Sequence, residues 1–322
     1  MDLSPTRRRT LQLGAVGVAA GVAGCLGDDT PEATVDFDGI GGIDHDALPK
    51  RTRYSTPDEP LPWYRRYEAD DADTALILLH TAVFDSRLCE PLASALADAN
   101  VAHVFTPDLR GHGPDPETRG DLAFRLQLED DLRHLVSRVE REHPDANIIV
   151  GGHGTGGGVA VRFATTGRGE LVDGFLLLAP FLGRDAPSTR PAMGGWANFY
   201  GDRIFLLRVL TGFGLDWYRE MTTVEYEIPD ELWDGTEALG HTFRLMDSYT
   251  PGEDATEELI DKPILTVVGT DDETANPEAY AELLSTQALR TVEQIEGASY
   301  FDLVATEAAV DTIDSWITET SF

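Results

Sequence analysis

"IIVGGHGTGGGVAVRFA", residues 148–164, decides how the rest of the chain is read. A short apolar run enters a glycine cluster, and a pattern with helical spacing leaves it. That strand–turn–helix layout is the one that presents a nucleophilic serine in the pattern G-x-S-x-G. The matching residues are Gly152, His153, Gly154, Thr155 and Gly156, so a glycine stands where the hydroxyl belongs. Thr155 carries the nearest hydroxyl, but one residue late, with its side chain expected to point away from the reacting position. The same glycines also satisfy G-x-G-x-x-G, the dinucleotide fingerprint. That motif opens the first strand–helix unit and wants an acid at the end of the following strand. Asp173 instead precedes its strand, so no nucleotide cofactor is expected.

Working outward, continuous apolar runs recur: "TALILLH" (74–80), "VAHVFTPD" (101–108), "VDGFLLLAP" (172–180) and "PILTVVG" (263–269). Runs of this length suit strands covered on both faces. Between them, 126–144 places Leu128, Leu132, Leu135, Val136 and Val139 at helical spacing and stops at Pro144. "GVAVRFATT" (158–166) is read as the helix after the glycines, "ALRTVEQIEG" (288–297) follows the last apolar run, and a final helix is expected around 303–319. The alternation implies an α/β class: a mostly parallel central sheet with helices on both faces. Some 80 residues interrupt it, dense in aromatics (Trp196, Phe199, Tyr200, Phe205, Phe213, Trp217, Tyr218, Tyr226, Trp233) and without strand alternation. They are expected to fold as a helical lid insertion, 183–262, between core segments 61–182 and 263–322.

With those elements in place, the chain from about residue 61 to 322 resembles α/β-hydrolase-fold enzymes of the monoacylglycerol lipase, lysophospholipase and serine-aminopeptidase-like kind. "LILLHTAVFDSR" looks like the strand and oxyanion loop that usually read L-L-H-G. "PDLRGHG" (107–113) matches the post-strand loop, and "GGHGTGGG" the nucleophile elbow. "VVGTDD" fits the acid turn and "IEGASYFDLV" the histidine loop. The resemblance implies a Ser–His–Asp hydrolase of esters or amides, with backbone N–H groups of Ala82 and Thr155 as oxyanion donors. It also places His80 and His112 in scaffold loops.

Three positions depart from that pattern. The nucleophile position is Gly154. The histidine position is Tyr300, whose phenol, with a reference pKa near ~10, is no base at neutrality; no histidine follows His241, itself read as a half-exposed structural residue of the lid. Thr81 replaces the glycine of H-G and would crowd the oxyanion pocket. The acid position is retained at Asp272, with Asp271 the weaker candidate. Losing the nucleophile or base of a serine triad costs up to about 10⁶ in turnover, leaving roughly 10³–10⁴ over water. The expectation is therefore a catalytically impaired binder of a small apolar or acyl ligand, or of a protein. The alternative is an active ester or amide hydrolase with a non-standard nucleophile. No cysteine, histidine and carboxylate spacing signals a metal.

Charge and the N-terminus set the context. The 322 residues carry 57 acidic and 25 basic side chains, a net −32, with only Lys50 and Lys262 as lysines. Such a field excludes nucleic acid as a partner and is the habit of proteins kept soluble in concentrated salt, where the Debye length falls to about 3 Å. Residues 1–24 combine Arg7, Arg8 and Arg9 with an apolar stretch of small residues, and resemble a twin-arginine export signal. "VAGC" resembles a lipobox, which implies lipidation of Cys25 and anchoring on the outer face of the cell membrane. Residues 25–60, acidic and rich in Pro and Gly, read as a tether. Cys89 is expected to be a buried thiol.

Overall fold

The computed structural model describes residues 35–322 apart from 42, 44–47, 56–59, 260 and 285–288. The segment expected to be an export signal and Cys25 lie outside the described residues. The chain runs through β1 (Thr52–Ser55), β2 (Pro60–Tyr67), β3 (Thr74–Leu79), α1 (Glu90–Asp98), β4 (His103–Pro107) and α2 (Gln127–Glu142). Next come β5 (Asn147–His153), α3 (Thr155–Ala164) and β6 (Gly174–Leu178). After the insertion come β10 (Ile264–Gly269), α6 (Pro277–Leu284), β11 (Arg290–Ile295) and α7 (Glu307–Glu319). Among the described residues these strands make an eight-stranded sheet in the order β1-β2-β4-β3-β5-β6-β10-β11. It is parallel from β4 to β11, with β1 and β2 antiparallel at one edge. This is the α/β-hydrolase fold. Every residue of β3, β6 and β10 is buried, as expected for strands covered on both faces. Leu128, Leu132, Leu135, Val136 and Val139 form the buried stripe of α2.

The strand order positions the site. β4 lies on one side of β3 and β5 on the other, so the chain reverses direction across the sheet between them. In the β3–β5 register Leu79 faces Gly152. The loop after β3 and the turn after β5 therefore emerge side by side, at the switch point where open α/β sheets place their ligands.

Two expectations are corrected. The segment 25–60 is not tether throughout. Within it, Val35 and Ile40 are buried, Phe37 packs on Trp196 and Phe301 (ring centroids 5.9 and 5.2 Å), and β1 joins the sheet. Three apolar residues at 35, 37 and 40 were hidden in an acidic average. The insertion is also not purely helical. β7 (Ala197–Phe199), β8 (Thr222–Tyr226) and β9 (Gly240–Thr242) form a three-stranded antiparallel sheet beside α4 (Gly201–Gly212) and α5 (Phe243–Tyr249). Strands of three to five residues are too short for alternation to register. The aromatics divide: Trp196 and Tyr226 are core, whereas Phe205, Phe213, Trp217 and Trp233 are exposed. The 188–199 stretch is a packed corner, with Ser188, Met193, Trp196 and Ala197 buried. No helix of the described residues is long and apolar enough to cross a membrane.

Candidate active site

The turn after β5 has the elbow geometry. Gly154 sits between β5 and α3 at φ 54°, ψ −115°, a backbone conformation that glycine adopts at little cost. The helix behind it packs close because its first turn is glycine. A Cβ on Gly156 would come within 2.6 Å of the Leu79 carbonyl oxygen, and one on Gly157 within 2.9 Å of Pro180 Cα.

What stands above Gly154 is the histidine-position residue. Tyr300 is fully buried, and its hydroxyl hydrogen-bonds Thr81 Oγ1 at 2.7 Å. Thr81 Oγ1 in turn accepts the backbone N–H of Thr155 at 3.3 Å. The predicted oxyanion donor is thus satisfied from within the chain, by the threonine that replaces the loop glycine. A Cβ at Gly154 would overlap both Tyr300 Oη and Thr81 Oγ1 and lie 3.0 Å from Tyr300 Cζ. The other predicted donor residue, Ala82, is buried in the same loop, where its carbonyl accepts from Phe84 N–H. Trp196, fully buried, closes the cleft over the phenol, with ring centroids 6.2 Å apart.

Tyr300 is pinned from every side. Its N–H donates to Glu273 Oε2 at 3.1 Å, and its carbonyl accepts from His153 Nε2–H at 3.0 Å with the two ring centroids 4.2 Å apart at a 35° tilt. Burial pushes its phenol well above the usual tyrosine range, so it is a neutral hydrogen-bonding group and not a base. His153, the imidazole nearest the elbow, is fully buried and held down to about 3 by desolvation. Its Nε2 proton is committed to the Tyr300 carbonyl.

Asp272 is in place and fully buried. Oδ1 accepts from Thr274 N–H (2.8 Å), Thr274 Oγ1–H (2.9 Å) and Ala275 N–H (2.8 Å). It thereby ties the turn that leads toward α6. Oδ2, the oxygen that would hold a catalytic imidazole, has no hydrogen-bond partner. Burial, outweighing those three bonds, lifts the carboxyl to about 6. Asp271 is exposed.

The histidines of the neighbouring loops are struts. His80 donates from Nδ1 to the Thr81 carbonyl (2.8 Å) and accepts Leu109 N–H at Nε2 (2.9 Å), which stitches the loops after β3 and β4 together. His112 meets His80 and His241 edge to face, with centroids 5.1 Å apart in each pair. His241 is fully buried rather than half-exposed, with Nδ1 3.3 Å from Tyr249 Oη. Short β9 turns it inward against His112, Tyr226 and Tyr249, which its neighbours Gly240 and Thr242 did not signal. Cys89 is a buried free thiol.

Cavities of about 590, 290 and 280 Å³ lie elsewhere. The first is beside Leu289 and Trp316, the second on the 108–123 loop, and the third between Leu182 and Thr256. None is lined by Thr81, Gly154, Thr155 or Tyr300. The three positions that depart from the pattern in sequence meet at one point, but the sequence did not indicate that Thr81 and Tyr300 bond to each other and fill the space over Gly154. No spacing rule couples residues 219 apart.

Comparison with known proteins follows the same frame. Residues 70–298 match the family model for serine aminopeptidase S33. Human monoglyceride lipase is 28% identical over 149 residues, 42% of this chain and 48% of that enzyme, so the match spans about half of the relative's length. A soluble variant of monoglyceride lipase from Saccharomyces cerevisiae, solved with a substrate analogue, superimposes with a TM-score of 0.68 at 15% identity, over 85% of this chain and 97% of that one. A thermostable carboxyl esterase from Bacillus coagulans gives 0.61 at 16%, over 84% and 97%. Paleococcus ferrophilus monoacylglycerol lipase gives 0.55 at 19%, over 79% and 99%. At these identities the structural matches speak for the fold alone; the family model, covering most of the chain, places the sequence. The chain belongs to the serine aminopeptidase S33 family of α/β hydrolases.

Proposed function

We propose that this chain is a non-hydrolysing member of its family. It is held at the outer face of the cell membrane through lipidated Cys25, and it acts by binding rather than by turnover. The observation that carries the reading is the Tyr300–Thr81–Thr155 chain of hydrogen bonds, which occupies the volume a serine side chain and an oxyanion would need. Each link removes one requirement of acyl transfer: Gly154 brings no nucleophile, Tyr300 no proton acceptor, and Thr155 N–H has its acceptor already. The buried acid alone does not restore chemistry, since it acts in such a triad only by orienting the base. Recognition falls to a small apolar or acyl ligand admitted by movement of the 183–262 segment, or to a protein met on its surface.

Purified protein in molar potassium chloride is expected to hydrolyse p-nitrophenyl acetate no faster than buffer. The variant Thr81→Gly/Gly154→Ser/Tyr300→His reopens the space and supplies both missing groups, so it is expected to cleave the ester measurably. Turnover by the unaltered chain that falls in Thr155→Ala or Asp272→Asn would place hydrolysis in this cleft and overturn the reading.

A further inference from the structure

At the opposite end of the sheet from the elbow, three chemistry-bearing residues meet that no motif announces. Glu68 follows the last residue of β2, His103 opens β4, and His143 caps the C-terminus of α2. In register, His103 lies opposite Ala75, which also faces Ile148. The cluster is therefore level with the start of β5, and Gly154 comes six residues later along that strand, about 20 Å away. One donor atom from each of the three residues lies within 4.8 Å of the other two.

We propose that Glu68, His103 and His143 form a three-ligand site for a divalent transition metal of the zinc class, with water as fourth ligand. The distances suit this. His103 Nδ1 lies 2.9 Å from Glu68 Oε2, and His143 Nε2 lies 3.8 Å from the same oxygen. Bonds of about 2.0–2.1 Å in a tetrahedral shell put neighbouring donor atoms roughly 3.4 Å apart, so each imidazole nitrogen needs a shift of about half an ångström relative to the carboxylate oxygen, and the two nitrogens already lie within 4.8 Å of each other. His143 Nε2 is buried and, among the described residues, without a hydrogen-bond partner; 3.8 Å is too long for a hydrogen bond to the carboxylate.

The surroundings favour the same assignment. The two imidazole side chains are 13% and 16% exposed, whereas Glu68 is 41% exposed, which leaves an approach for ion and water from the carboxylate side. Arg66 Nε donates to Glu68 Oε1 at 2.6 Å, which fixes the carboxylate and leaves Oε2 for the cluster. Ala69 N–H approaches His103 Nδ1 at 3.3 Å, a long contact that the ion would replace. Two imidazoles with one carboxylate suit zinc, nickel or copper; magnesium and calcium prefer all-oxygen shells. That distinction matters on a chain with 57 acidic residues, which gathers hard cations without any site. An ion here would clamp the end of β2, the start of β4 and the end of α2, stabilising the folded state by mass action.

The test uses the full chain, stripped with a chelator and titrated with cobalt(II) chloride in molar potassium chloride. The expected result is one equivalent giving the intense visible bands of four-coordinate cobalt, discharged by one equivalent of zinc and unaffected by excess magnesium. His143→Gln and His103→Gln are expected to abolish the bands, and Glu68→Gln to weaken binding roughly tenfold or more, with far-ultraviolet circular dichroism unchanged. Zinc is expected to raise the melting temperature of the parent and not of these variants. Cobalt that stays pale and six-coordinate overturns the site, as do visible bands that persist in His143→Gln.

Discussion

A hydroxymethyl group at residue 154 is all that separates this sequence from G-x-S-x-G, yet the folded chain has no place for it. Tyr300 Oη and Thr81 Oγ1 occupy the position, so the glycine, the tyrosine and the threonine form one structural unit. Gly154→Ser alone is expected to lower stability by about 2–3 kcal/mol, because a fully buried phenol held at both backbone ends does not yield. Tyr300→His alone is expected to cost a similar amount, since it removes buried ring volume and the partner of Thr81. Together the two changes relieve one another, so the double variant is expected to lose at least about 1 kcal/mol less than the sum. Urea unfolding of the four proteins at one salt concentration measures this. Additivity to within about 0.5 kcal/mol would mean that the two positions do not compete for space.

At the scale of elements, the sheet was legible because β3, β6 and β10 are apolar runs, interrupted only by Thr74 and Thr266 and buried throughout, and α2 because its stripe is regular. The elbow was legible because its glycines have a packing reason. The insertion was not: β7 and β9 have three residues each, and the aromatics that fix their position carry no periodicity. Nor was the Glu68, His103 and His143 cluster legible, because a register between β2, β4 and α2 assembles it. Within the insertion, Trp196 is the residue that matters most, packed on Phe37, Tyr226, Tyr300 and Phe301. Trp196→Ala is expected to cost about 3–5 kcal/mol. Phe205→Ser and Phe213→Ser, on exposed rings, should stay within about 0.5 kcal/mol. Thermal unfolding of the three variants separates core from surface; equal losses would contradict the division.

For the molecule as a whole, burial of ionisable groups sets the response to pH. His153 and His241 titrate near 3 in the fold against about 6.5 when unfolded. The stability they contribute is full above pH 6.5 and is lost as pH falls toward 3. Asp272 runs the other way: its folded value of about 6 exceeds the unfolded ~3.9, so its contribution is full below pH 4 and disappears as pH rises through 6. Near pH 5 the unfolded chain therefore holds about two protons that the fold refuses, and the fold about one that the unfolded chain lacks. The net slope is about 1.4 kcal/mol lost per pH unit of acidification. His80 and His112, also pushed down by burial, steepen it, and Asp108, raised by burial, opposes it. Asp272→Asn should be more stable than the parent at pH 7 and lose that advantage by pH 4, the reverse of what an ion-paired carboxylate would give. Chemical denaturation at pH 7, 5.5 and 4 reads both effects.

The central claim, that the space above residue 154 is filled and carries no nucleophile, is tested most directly by intact-mass spectrometry. The folded protein is first incubated with a fluorophosphonate in molar salt. The account predicts an unchanged mass for the parent chain and a single adduct on Thr81→Gly/Gly154→Ser/Tyr300→His. A stoichiometric adduct on the parent, mapped to any residue of the cleft, would contradict it.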